Sequence, residues 1–493
     1  MSFRFPMRIG WLTFLLLSLM AGLVGCERRD QRGASDEGDS APTPQVALEW
    51  VTTEGQRFVD SQGGELLLRG VVTITHYNRG QPVSYDPASY RRMKAMGISY
   101  QSIRLYGAAV GATGGAASDA YLAQIDQMIA DAAAAGLYSS LKLTVYDTTG
   151  GRVAGFDEAQ WANFWQDESA QGQWIEGWAT LWERYKENPA VVGYDLLNEP
   201  KQGDLNVSPE AFQGDYLLPF YRRAIERLRT IDDRHLLFVQ PALVTFDARN
   251  DRVIYEAIEG STSDLPSRGV VYAPHFYPAL QSYETTNYDS QMADYAATAA
   301  QMGVPLLIGE FGLPWSSSYD RDEERQRAFQ ATEQQTHLLF DQYLIGYSRP
   351  WYADDRASLG RLNWSLFPGR RGTDGEPRPW IADPLASPYP FRTAGRLTGL
   401  QFDFDSKQAE LSYEADPARG TTELVIPLDP YYTNGFILER DDGLVVRVRA
   451  AAEAEITGGG DPESVRWDGA MGRLYITERA ATTLSITIRP LNE

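Results

Sequence analysis

From about residue 49 the chain alternates short apolar runs with segments of helical periodicity. The runs are "ELLLRGVVTI" (65–74), "SIRLY" (102–106), "YSSLKLTVY" (138–146), "VVGYDLLNEP" (191–200), "LLFVQPA" (236–242), "VVYAPHFYP" (270–278), "PLLIGEFG" (305–312) and "QYLIGYSRPW" (342–351). Many are near-continuous rather than alternating, the pattern of strands covered on both faces, as in a parallel sheet under helices. Between them, "SDAYLAQIDQMIADAAAAG" sets Leu122, Ile125 and Ile129 on one helical face. Ser118 or Asp119 can cap its start, and Gly136 ends it. Leu218, Tyr221, Ile225 and Leu228 mark a later helix. Eight strand candidates alternating with helices predict an α/β protein, a (β/α)₈ barrel over residues 49–393. A doubly wound open sheet is the second choice, but no Gly-rich nucleotide fingerprint follows the first strand.

Near residue 394 the pattern changes. From "RLTGLQFDFDSKQAELSYEA" to "TTLSITIRPLNE" the chain shows short alternating strands separated by Gly, Asp and Asn turns. This predicts an antiparallel β-sandwich over residues 394–493. It is expected to pack on the barrel flank and supply stability. The alternative is a separate sugar-binding module with exposed Tyr431, Tyr432 and Trp467.

The N-terminus reads "MSFRFPMRIGWLTFLLLSLMAGLVGCERRD". Arg4 and Arg8 make a basic start, and an apolar run of signal-peptide length ends in "LVGC". This resembles the lipobox of bacterial lipoproteins, which implies a signal peptide over 1–25 and acylation of Cys26. Residues 26–48, polar with scattered Pro and Gly, then read as a tether. The expectation is an exported protein of the cell envelope held to a lipid bilayer through Cys26. The single cysteine excludes an intramolecular disulfide. The formal charge of −21 argues against nucleic acid or an anionic membrane surface as partner, and a monomer is expected.

Candidate chemistry sits at the strand ends. In "VVGYDLLNEP" proline cannot continue a buried strand, so Asn198 and Glu199 project where it stops. In parallel α/β barrels this C-terminal end is where catalytic groups reach substrate. The seventh run offers Glu310, the sixth His275 and Tyr277, the second Arg104 and the eighth Trp351, with Trp364 in "LNWSLF" a second aromatic candidate. Two carboxylates at one end of a barrel are what glycoside cleavage needs: one protonates the leaving oxygen, the other attacks the anomeric carbon or activates water. Arg104 is expected to keep Glu310 ionised, while repulsion between the carboxylates raises the pKa of Glu199. Asn198 can donate to a sugar 2-hydroxyl. Four histidines in the whole chain argue against a metal cluster.

The arginine after "MKAMG", the "NEP" triplet, the "HFY" pair and the "GEFG" glutamate resemble, in order, glycoside hydrolase family 5 of clan A. "AVVGYDLLNEP", "LLPFYRRAIERLRTIDDRHLLFVQP" and "SPYPFRTAG" before a sandwich are similar to its endoglycoceramidase-like branch. The resemblance implies Glu199 as acid/base and Glu310 as nucleophile, with retention and a carboxyl separation of about 5–5.5 Å. It implies Arg104, Asn198, His275, Tyr277 and Trp351 around the cleaved sugar, and no metal or organic cofactor. The substrate would be a β-linked glycoside, either a glycolipid or an oligosaccharide. The sequence departs from this family at two places. "LKLTVYDTTGG" has Thr144 or Val145 where a histidine is usual, with Asp147 as the nearest aspartate. "TITHYNRG" offers His76 instead of a lysine. These changes imply an altered glycone preference. The alternatives are a catalytically impaired sugar-binding lipoprotein and an endo-β-glycanase acting on polysaccharide.

Overall fold

Eight parallel strands make the central sheet of the computed structural model: Arg69–Ile74, Tyr100–Tyr106, Tyr138–Thr144, Val191–Asp195, Leu236–Val239, Val270–Tyr272, Leu307–Ile308 and Gly346–Arg349. The structure describes residues 48–491 except 77–81, 147–154, 248–251, 256–264, 278–287, 314, 317–321, 354–361, 364, 369–371, 374, 450–454 and 459–461. Cys26, Asp147 and Trp364 lie outside the described residues. The first strand pairs with both the second and the eighth, and the eighth with the seventh. A Tyr272–Leu306 bridge and a short parallel ladder, His275 with Glu310 and Phe276 with Phe311, join the sixth strand to the seventh and complete the ring.

The helices form where their caps and apolar stripes predict. Ser118 accepts from the Tyr121 amide and starts the helix Asp119–Ala134; Gly136 follows it at φ 72°, a backbone conformation glycine adopts without strain. In Glu168–Tyr185, Trp174, Trp178 and Trp182 recur every fourth residue and are fully buried, one stripe facing the barrel. Among the described residues no helix is long and apolar enough to cross a membrane.

The pairing changes the expected place of one segment. Thr52–Glu54, Arg57–Val59 and Glu65–Leu66 do not join the barrel. They lead a seven-stranded antiparallel sheet in which Glu65–Leu66 pairs with Tyr389–Thr393, from the far side of the barrel sequence. A second sheet of six strands runs from Gly395–Asp403 to Thr482–Pro490. Its first strand buries Leu397, Leu400 and Phe402, and a bulge between Leu397 and Gly399 resets the two-residue alternation.

The contact with the barrel is broader than a flank. Leu68, Tyr100, Tyr138, Val192, Leu236, Val271 and Leu307, near the N-terminal ends of their strands, share one apolar core with the sheet residues Tyr389, Leu424 and Leu474. The sheets therefore close the end of the barrel opposite to the strand C-termini. Tyr432 lies in this core, and Tyr431 and Trp467 pack half-buried against it, so none is an open platform. Near the other end, Arg349 donates to Glu333 Oε1 at 2.8 Å, both fully buried.

Candidate active site

Glu199 is placed by contacts with the third, fourth and fifth strands and a helix. The fourth strand ends at Asp195, and the indoles of Trp174 and Trp178 both donate to the Leu196 carbonyl, at 3.0 and 2.9 Å. The amide of Asn198 donates to the Leu143 carbonyl at 2.9 Å, and that of Glu199 to Gln240 Oε1 at 2.9 Å. Thus anchored, Glu199 takes φ 48°. A side-chain-bearing residue holds this left-handed conformation at a cost of about 1–3 kcal/mol, which its surroundings must offset. Its carboxylate is 26% exposed and accepts from His275 Nδ1 at 3.1 Å.

Glu310 is the buried partner. Tyr277 donates to its Oε2 at 2.5 Å, and Lys142 Nζ to its Oε1 at 2.8 Å. Lys142 comes from the third strand, is 1% exposed, and also donates to the Gly309 carbonyl at 3.2 Å. Its ammonium lies 3.5 Å from His275 Nε2. Burial pushes the Glu310 carboxyl up and Glu199 adds to this, but Lys142 and His275 outweigh both and hold it below the usual range. Burial, with both glutamates, raises the Tyr277 phenol, so it remains a donor. Deeper in the barrel Asp195 accepts from Gln240 Nε2 at 2.7 Å, and burial lifts its carboxyl to about 6 against the pull of Lys142 and His275.

One carboxylate oxygen from each glutamate and one His275 nitrogen lie within 4.8 Å of one another. Three such ligands can in principle hold a cation, but Lys142 and Tyr277 already occupy both oxygens of Glu310. The positive charge at this point is supplied by the chain itself.

Several expected residues are placed differently. The leading cation on Glu310 is Lys142, not Arg104. Arg104 stacks on Trp351, its guanidinium carbon 4.1 Å from the ring centroid, and on Tyr146 at 5.4 Å. Arg104 and Trp351 thus form one wall, joined to the carboxylates through Tyr146. Burial lifts that phenol to about 12; Arg104 opposes the shift and both glutamates add to it. Thr144 is turned away, donating to the Leu105 carbonyl at 2.6 Å, and Val145 is buried. His76 stands between the rings of Tyr106 and Tyr121, each centroid 5.4 Å away, and lines a separate cavity of about 370 Å³. Asn198 is buried, and its Oδ1 has no hydrogen-bond partner among the described residues. Lys142 and Tyr146 were not singled out in the sequence. The signal for Lys142 was there: in "SSLKLT" a lysine interrupts a strand with no solvent face, so it must meet a buried partner.

An eightfold parallel barrel with two adjoining glutamates at the ends of its fourth and seventh strands, one held ionised and one reaching solvent, is the framework of a glycoside hydrolase. The model of the cellulase family (glycosyl hydrolase family 5) matches residues 59–342, more than half of the sequence. The chain belongs to glycoside hydrolase family 5. It is 21% identical over 453 residues to an endoglycoceramidase of Cyanea nozakii, covering 78% of this chain and 86% of that one. An endoglycoceramidase of Hydra vulgaris is 24% identical over 279 residues, 55% of this chain and about half (49%) of the relative. Among solved structures, an endogalactoceramidase superposes with a TM-score of 0.67 at 21% identity, over 89% of this chain and all of the other. Endo-glycoceramidase II from Rhodococcus sp. in complex with ganglioside GM3 gives 0.65 at 20% identity, over 89% of this chain and 100% of that one.

Proposed function

We propose that the protein is a retaining β-glycosidase of the cell envelope, with Glu310 as nucleophile and Glu199 as acid/base. The observation that carries this is the asymmetry of the glutamate pair. Glu310 is buried, with Lys142 and Tyr277 on its two oxygens, whereas Glu199 is partly open to solvent and has the His275 imidazole at 3.1 Å. A second negative charge beside an ionised Glu310 is unfavourable, so Glu199 is the carboxyl placed to hold and return a proton. Nearest oxygens within 4.8 Å suit direct attack and are closer than the roughly 6.5–9.5 Å carboxyl separation of inverting enzymes. Arg104, Asn198, His275, Tyr277 and Trp351 line the cleaved sugar in this reading, and no cofactor is required.

The substrate is a β-linked glycoside, and the endoglycoceramidases among the relatives make glycolipids the first class to test. The third strand argues for a different preference within that class. Where the family resemblance calls for a histidine that holds the first sugar, Thr144 spends its proton on the Leu105 carbonyl. A missing charge-assisted hydrogen bond is worth about 1.5–3 kcal/mol, roughly ten- to a hundredfold in discrimination. Across ganglioside, lactosyl, galactosyl and β-glucan substrates, kcat/KM is expected to be poor on glucosylceramide-linked glycans relative to another β-glycoside. All of this activity should vanish in Glu310→Gln. A strong ganglioside preference would overturn the specificity argument.

The lipobox supports anchoring through Cys26. Wild-type protein is expected to fractionate with membranes and Cys26→Ser to leave them, because stable anchoring needs more than one acyl chain. If the serine variant sediments with membranes as before, another element anchors the chain.

A further inference from the structure

We infer that Lys142 is a positioning residue that makes Glu310 a good leaving group, so that the second half of the double displacement is fast. This rests on the retaining mechanism proposed above and goes beyond it. The third strand carries Lys142 into the barrel interior with its ammonium 2.8 Å from Glu310 Oε1 and 3.2 Å from the Gly309 carbonyl. In register, Lys142 lies between Arg104 on the second strand and Asp195 on the fourth. The charged and titratable groups around Glu310 are Lys142, His275 and Tyr277, with Glu199 across the cleft, Asp195 below and the Tyr146 phenol nearby. Among the described residues, Lys142 is the lysine or arginine whose charged end touches a Glu310 oxygen. It is too buried to reach solvent and carries no surface role.

Its effect differs between the two steps. In the first, one Glu310 oxygen forms a bond to the anomeric carbon as the bond to the leaving oxygen breaks, and Glu199 gives its proton to that oxygen. In the second, water attacks the anomeric carbon, Glu199 takes the water proton, and the bond to Glu310 breaks with its electron pair returning to the carboxylate. Glu310 is charged before the first step and after the second, but not in the ester between them. A fixed ammonium 2.8 Å away stabilises the charged state relative to the ester. It therefore makes Glu310 a weaker nucleophile and a better leaving group. Tyr277 acts in the same sense on Oε2 but carries no charge.

The test is transient kinetics on a dinitrophenyl β-glycoside of whichever sugar the substrate panel turns over. Wild type should show no burst of dinitrophenolate, because release of the glycosyl enzyme is not limiting. Lys142→Met should show a burst, with kcat and KM falling together by about ten- to a hundredfold and a glycosyl adduct on the protein by intact mass. Its kcat/KM at high pH should hold, while the acid limb moves to higher pH as Glu310 loses its cation. Lys142→Arg, which keeps the charge, should restore burst-free turnover. Because Lys142→Met leaves Asp195 buried without its cation, Lys142→Met/Asp195→Asn is the companion for a fold that fails. A burst in wild type, or a fall in kcat/KM at high pH with KM unchanged in either variant, overturns the proposal. Turnover that survives both Glu310→Gln and Glu199→Ala would instead overturn the retaining mechanism itself.

Discussion

Exchanging Glu310 for glutamine is expected to lower kcat by about 10⁴- to 10⁶-fold on any substrate the enzyme accepts, with the fold intact by circular dichroism. Glutamine keeps the shape, and its one oxygen can still accept from Lys142 while its amide nitrogen donates to the Tyr277 hydroxyl, but it cannot attack the anomeric carbon. The companion change, Glu199→Ala, should cost about 10²- to 10⁴-fold, and the loss should depend on the leaving group. A nitrophenolate needs no proton and should depart almost as before, whereas an alkyl or lipid alcohol should scarcely depart at all. The pH profile carries the same asymmetry. Lys142 and His275 hold Glu310 below the ordinary carboxylate range, so in wild type the acid limb of kcat/KM should fall only below that range. Equal losses on good and poor leaving groups in Glu199→Ala would remove its role as the acid.

The second large effect is on stability. Arg349→Ala is expected to cost about 3–5 kcal/mol in urea unfolding, because it strands Glu333 in the interior. The two side chains are 0% and 1% exposed, so water cannot replace the lost partner. The cost should depend on pH with a definite sign. Burial raises the Glu333 carboxyl even with Arg349 present. A raised folded-state value favours the fold at acid pH, and that contribution is lost as pH rises through it. The variant should therefore be nearest to wild type at low pH and furthest at high pH. Replacing the pair together, as Arg349→Met/Glu333→Leu, should recover much of the loss, since no charge then lies unpaired. A single-variant cost below about 1 kcal/mol would mean that water or another cation reaches Glu333. Arg349 also donates to the Pro350 carbonyl, next to Trp351, so the same change should loosen the wall that Trp351 shares with Arg104.

Much of this was legible in the sequence because local pattern and burial agree. The eight apolar runs became eight parallel strands, and the polar residues that end them came to one end. Glu199, Glu310, His275 and Tyr277 meet as their places on strands four, seven and six require. What failed was partner choice. The sequence places Arg104 at a strand end near Glu310, yet its guanidinium sits over the Trp351 ring. Side-chain direction inside a barrel depends on strand tilt and stagger, which a single sequence does not display. Lys142 is masked in the sequence because it sits between leucines in a run that reads as core. Proximity in sequence puts the segment 52–66 with the barrel, but Glu65–Leu66 pairs with Tyr389–Thr393, hundreds of residues further on.

That last feature also governs how the protein is made. Arg392 pairs with Asp60 and the Leu397 amide with Glu65, in both cases across 332 residues of chain. Contacts of such sequence separation form late, because the intervening loop must be ordered before they repay its closure. At a synthesis rate of about 5–20 residues per second, the opening strands wait roughly 15–70 seconds for their partners to be translated. During that interval the apolar mouth formed by Leu68, Tyr100, Tyr138 and Val192 has nothing over it. A chain that folds from its head thus keeps this mouth open until its last quarter appears, and the barrel is sealed from its tail rather than from its head.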